Sequence, residues 1–199
     1  LYARQPTEGT GCMAAGGLLS RFFRGQDPKK FPVMEKHANL LLAAPPEWDP
    51  DGNTNDMYYW YYGSYAMFQM GGSPWKSWNK AMRRAAFDSQ REDGSSKGSW
   101  DPIGPWGYAG GRVYATAMMT WFWAITIMPL ADATALSFIM PIFASIGAIL
   151  FLNERSKLMR WVSIGIGLPG MLLILRPGFK EIDFGTWVVL CGAIFTAIS

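Results

Sequence analysis

The sequence predicts an all-α protein in two parts: helical hairpins first, then about four transmembrane helices. Three observations predict it. Helix-length runs near 13–24, 32–44, 55–70, 75–90 and from 112 onward are separated by stretches rich in Gly, Pro and Asp. Four apolar stretches then follow at about 113–129, 131–152, 158–175 and 184–199. Charge divides in the same way, since residues 1–112 hold 13 of the 18 Lys and Arg and 11 of the 15 Asp and Glu, and all eight Tyr precede Trp121. The whole-chain net charge of +3 therefore averages two unlike segments. The division is expected at 112/113.

The breaks of the first part are PPEWDPDGNTND, GGSP and REDGSSKGSWDPIGPWGYAGG. Asn55 is expected to cap the third helix, and Ser73 with Pro74 to supply the cap and first position of the fourth. AAGGLLSRFF, YGSYAMFQM and GRVYATAMMT recur with a period of about 50 residues, and two Trp-Asp-Pro loops, Trp48-Asp49-Pro50 and Trp100-Asp101-Pro102, accompany them. Repeats of that length predict stacked helix pairs that cover one another's apolar faces.

In the second part, a helix crossing the roughly 30 Å hydrocarbon layer needs about 20 residues, so the two middle stretches qualify and the outer two lie at the lower limit. A buried helix pair in a soluble globule does not fit adjacent apolar runs separated by short polar knots. The knots differ in charge. NERSKLMR carries Arg155, Lys157 and Arg160, RPGFKEID balances Arg176 and Lys180 against Glu181 and Asp183, and PLADA has no base. The positive-inside rule places NERSKLMR and, by alternation, the residues before 113 in the cytoplasm. Gly147, Gly165, Gly167 and Gly170, with Ala144 and Ala148, supply small helix faces for close packing. Pro141 and Pro169 can kink their helices and free carbonyl groups toward a cavity. Asp132 is expected to cap a helix beginning at Ala133. GIGLPG, residues 165–170, has the spacing of a dinucleotide fingerprint, but no strand precedes it and the surroundings are apolar, so no nucleotide cofactor is expected.

FWAITIMPLADATALSFIMPIFASIGAILFLNERSKLMRWVSIGIGLPGMLLILRPG resembles the EamA-type half of the drug/metabolite transporters. The resemblance covers residues 121–199. It implies ten helices in two inverted five-helix repeats, residence in the bacterial inner membrane and passage of small metabolites. This part of the chain would supply the end of a third helix, the fourth, the fifth and the start of the sixth. Transport needs both repeats around a central site. The chain alone is therefore expected not to transport, with the missing helices supplied by another chain. Glu154, at the cytoplasmic end of the fourth helix, gains interest as a gate or helix-end contact, against the plainer reading of an interfacial acid beside Arg155 and Lys157.

DSQREDGSSKGSWDP, residues 88–102, with NDMYYWYYGSYAMFQMGG and WKSWNKAMRRAAFDSQ, resembles the prenyltransferase and squalene cyclase repeats over about residues 10–120. That resemblance implies an α/α toroid in which Gln90, Gly98 and Trp100 act as structural clamps. It makes the first part a partial toroid, with a terpenoid-cyclase-like enzyme or binding module as the alternative function. No catalytic residue follows from it. The three acids Asp49, Asp51 and Asp56 lack the Asp-x-Asp-Asp spacing such a cyclase uses to protonate its substrate, and their Pro-, Gly- and Asn-rich setting reads as a solvated turn. His37 is the single His and Cys12 has no matching partners, so no metal site is expected. No disulfide is expected between Cys12 and Cys191, because Cys191 lies in an apolar run.

Tyr58, Tyr59, Trp60, Tyr61 and Tyr62 cover every side of a helix, which predicts mainly packing. Lys76, Lys80, Arg83 and Arg84 form a basic face beside many acids and are read as solvated, without nucleic acid as a partner. The expected partners are the lipid bilayer and a small-molecule substrate. No exposed linker joins the two parts at Ala117–Trp121, and the last residues, GAIFTAIS, stop within an apolar run. These features predict a composite of two truncated folds.

Overall fold

A computed structural model describes residues 11–137, 140–143, 145, 161–162, 164–167, 169–170 and 187–188. Every regular element among the described residues is helical. The chain divides into two compact units, Leu1–Asp88 with Gly104–Trp106, and Ser89–Ile103 with Gly107–Ser199.

The first unit is two helical hairpins. In the first, α1 (Gly11–Phe23) and α2 (Pro32–Ala43) pack together; in the second, α3 (Met57–Met70) packs on α4 (Gly72–Phe87). α1 lies along α3, and α2 touches α4. The two hairpins thus pack on one another. Between α1 and α2, the Asp27 carboxylate accepts from the Lys29 N–H, and Pro32 opens α2 at a position where its missing N–H costs nothing. Leu18, Met34, Leu41, Met57, Trp60 and Met67 are almost wholly buried between the helices. Tyr59 fastens the hairpins, its hydroxyl donating to the carbonyls of Ala44 at 2.8 Å and Leu41 at 3.3 Å, and burial pushes its pKa up to about 12.

Two caps differ from the sequence expectation. Asp56, not Asn55, caps α3, its carboxylate accepting from the N–H groups of Tyr58 and Tyr59. Asn55 is already engaged, since its side chain exchanges two 2.8 Å hydrogen bonds with the backbone of Asp49. Ser73 and Pro74 do not open α4: Gly71 ends α3 and begins α4 at φ +65°, and no side chain caps α4.

The second unit holds a loop, residues 89–103, then α5 (Gly104–Ile127) from Gly107 onward, and α6 (Leu130–Ser137). α5 starts before the expected residue 112, because Pro105 sits in its first turn, where proline is tolerated. Gly111, at φ +72°, then breaks it. The division expected at 112/113 falls just after this break. The arm from Arg112 to Ile127 has 16 residues, and at about 1.5 Å per residue it reaches roughly 24 Å, short of a roughly 30 Å span. Among the described residues, no helix is long and apolar enough to cross a membrane. The stretches 131–152, 158–175 and 184–199 lie largely outside the described residues. α6 begins at Leu130, so Asp132 stands in its first turn rather than at its cap.

Candidate functional site

Among the described residues of the second unit, the loop before α5 holds a dense polar arrangement. Gln90 donates from its side-chain amide to the Gly98 carbonyl at 2.8 Å, and the backbone closes the same loop through Arg91 N–H to Ser99 and Gly98 N–H to Arg91. Trp100 is buried to 1% exposure, edge-on to Trp123 at 6.3 Å, and its N–H meets the Thr116 hydroxyl. Gln90, Gly98 and Trp100, singled out by their motif, thus belong to one loop that closes on itself and seats its indole on α5.

The sequence did not single out the charges that tie this loop to α5. Asp101 pairs with Arg112 at 2.8 Å and with Arg91 at 3.1 Å, while Arg91 also meets Asp93 at 3.0 Å. Arg112 further donates to the Ser99 hydroxyl and the Trp100 carbonyl. Desolvation of Asp101 raises its pKa, but the hydrogen bonds and charges of Arg112 and Arg91 outweigh it and hold the carboxyl below the ordinary carboxylate range. A carboxyl with a depressed folded pKa stabilises above its unfolded value and loses that contribution as pH falls through the folded one. The 91–99 loop should therefore keep constant amide protection, corrected for intrinsic exchange, from pH 7 down to about 4, and lose it in more acidic solution. Asp101→Asn should remove the acid-dependent step, which hydrogen exchange on the full chain would show.

The Trp48-Asp49-Pro50 loop is built differently. Its Asp49 carboxylate accepts the N–H groups of Asp51 and Asn53, and the Asp51 bond in particular holds it below the usual carboxylate range. Asp56 caps α3 and also accepts from the Trp106 indole at 3.2 Å. Asp49 is thus engaged in the turn and Asp56 in the cap. In the aromatic run, Tyr59 and Trp60 are buried, whereas exposed Tyr58 meets Tyr62 and Trp106. His37 faces Gly17 on α1, and its pKa is lowered by burial and then by the Arg21 charge. Among the described residues, no group of three His, Cys, Asp or Glu could hold a metal ion. Cys12 carries a free thiol; Cys191 lies outside the described residues. Lys76, Lys80, Arg83 and Arg84 are exposed on α4, with Arg83 over the Phe87 ring at 5.3 Å.

Along the apolar part, five hydroxyl groups of the described residues are satisfied within their own helix. Thr120 donates to the Thr116 carbonyl, Thr126 to Trp123, Thr134 to Leu130, Ser137 to Thr134 and Ser145 to Pro141. Pro141 and Pro169 are helical and exposed, whereas Glu154 lies outside the described residues. The transporter candidates Pro141, Glu154 and Pro169 are therefore not seen together around a cavity.

Comparison with known proteins bears on this second unit. The EamA-like transporter family matches residues 86–176. A curated S-adenosylmethionine uptake transporter of Rickettsia prowazekii (strain Madrid E) is 33% identical over 81 residues, which is 41% of this chain and 28% of that protein. A riboflavin transporter of Vibrio cholerae serotype O1 is 32% identical over 78 residues, 39% of this chain and 26% of its own length. Solute carrier family 35 member G1 of Homo sapiens is 38% identical over 69 residues, 35% of this chain and 19% of that protein. The chain spans about a quarter of the length of the first of these relatives. No solved structure matches it significantly. The family match takes in residues 88–102, which resemble a cyclase repeat, and starts within three residues of Ser89, where the second unit begins. Neither a cyclase-type first part nor a composite of two proteins finds support in these relatives. Residues 86–176 are thus similar to the EamA-like transporter family.

Proposed function

We propose that this chain is a membrane protein whose EamA-like region contributes to the passage of a small metabolite across a lipid bilayer. The observation that carries the reading is the family match over residues 86–176, with relatives named for uptake of S-adenosylmethionine and transport of riboflavin. Two physical features support it. The apolar stretches from 113 onward approach spanning length, and the hydroxyls of Thr120, Thr126, Thr134 and Ser137 bond to the preceding turn of their own helix, which meets their needs without water. The residues before 113 are assigned to the cytoplasmic side by the three bases of NERSKLMR. Pro141, Glu154 and Pro169 are proposed to act at helix bends and ends near the path. Gln90, Gly98 and Trp100 hold the loop that leads into it. Because the chain spans about a quarter of its relatives, transport is proposed for it in assembly with further helices.

The test is the topology of the full chain in a bacterial inner membrane. Alkaline carbonate should leave it in the pellet, a fluorescent reporter placed in NERSKLMR should light up, and a periplasmic phosphatase placed in RPGFKEID should be active. Release by carbonate would overturn the membrane reading. The opposite reporter pattern would overturn the orientation.

A further inference from the structure

Residues 95–99 and the second arm of α5 line an open cleft of about 320 Å³. Its lining residues include Ser95, Ser96, Lys97, Ser99, Arg112 and the apolar Val113, and no carboxylate lines it. From the geometry we infer that this cleft binds a phosphate group.

Three observations carry the inference. First, the charge balance in the cleft is positive. Asp101 is one carboxylate shared between two guanidinium groups, Arg91 and Arg112, so it neutralises Arg112 only in part; Asp93 meets Arg91 alone. Lys97 adds an exposed ammonium with no ion pair among the described residues. Second, the guanidinium is already oriented. Arg112 is held by Asp101, the Ser99 hydroxyl and the Trp100 carbonyl, so little side-chain freedom is lost when an anion arrives. Third, Ser95 and Ser96 line the cleft beside the two cations, whereas the Ser99 hydroxyl already donates to the Ser96 carbonyl and the Thr116 hydroxyl accepts from the Trp100 backbone N–H. Hydroxyl donors with one planar and one point-like cation match the several acceptor oxygens of a tetrahedral oxyanion, for which Arg and Lys are complementary partners.

This site does not depend on the transport reading, because the loop, its ion pairs and its hydroxyls stand whether or not the later stretches cross a membrane. The phosphate could belong to a free phosphate or to a lipid headgroup, and the two are separated by the probe. The full chain in a neutral detergent would be titrated with inorganic phosphate, and separately with mixed micelles containing phosphatidic acid, against matched potassium chloride and phosphatidylcholine controls. Binding would be read by ³¹P NMR line broadening. At least one phosphate probe should saturate. Lys97→Gln, at an exposed position with no described ion pair, should weaken that binding about tenfold, the loss of one charge-assisted hydrogen bond. Saturation by inorganic phosphate indicates a soluble source, and saturation by phosphatidic acid alone indicates a headgroup. Failure of both probes to saturate, or binding that Lys97→Gln and Arg112→Gln both leave unchanged, would overturn the assignment. Hydrogen exchange in the 91–99 loop of each variant would show that its fold is kept.

Discussion

Trp78→Ala is expected to destabilise the first unit by about 3–5 kcal/mol, the range for deleting a large aromatic side chain from a packed core. Trp78 is fully buried. Its indole N–H donates to the buried Ser64 hydroxyl at 3.0 Å, and its ring meets Tyr59 edge-on at 5.6 Å. The contact is also unusually close to the facing helix, because a Cβ on Gly63 would lie 2.4 Å from the Trp78 ring. The alanine variant therefore opens a cavity and leaves a hydroxyl without its donor. In the full chain, amide protection in α3 and α4 should fall a hundredfold to a few thousandfold. Gly63→Ala should act on the same contact from the other side, at about 1–3 kcal/mol, because the ring must leave its place. Unchanged protection in both variants would show that α3 and α4 do not meet through this tryptophan.

Helix positions were legible where punctuation was local. α1, α2 and α3 begin and end within about two residues of their sequence runs, because Pro32, Gly25 and the Asp49–Asp56 turn bound them by short-range chemistry. The identity of a cap was less legible. Asn55 and Asp56 are both good caps by type, and only the pairing of Asn55 with Asp49, six residues back, leaves the role to Asp56. α5 was misplaced for a related reason. Gly104-Pro105 reads as a loop, yet proline is accepted in a first turn, and the real interruption is Gly111.

The candidate site shows the same divide. Gln90, Gly98 and Trp100 could be found through a motif. The Arg91–Asp101–Arg112 group could not, because its partners come from three places that only the folded loop brings together. Hydropathy located the apolar stretches, and the motif residues from 121 onward carried the transporter resemblance, whereas the family match reaches back to residue 86. The residues from 86 to 112 carry charge and turns rather than a long apolar run.

Gly104→Ala is the second large effect, expected at roughly 2–4 kcal/mol from left-handed backbone strain combined with overpacking. Gly104 sits at φ +80°, and a Cβ there would meet the Asn55 carbonyl oxygen at 2.5 Å and the Asn55 Cβ at 3.0 Å. Neither neighbour is a flexible side-chain end. Asn55 is 1% exposed and fixed to the backbone of Asp49 by two hydrogen bonds, and the next residue, Asp56, both caps α3 and accepts from the Trp106 indole. An added methyl group must therefore displace either the Asp49–Asp56 turn or the Gly104–Trp106 segment. The N-terminal amides of α3, Tyr58 and Tyr59, should lose protection together with the Trp106 indole N–H, since all three meet the same carboxylate. Loss at the indole alone would mean that only Gly104–Trp106 gives way and that Asp56 caps α3 unaided. Full protection at all three sites would overturn the close approach of Gly104 to Asn55.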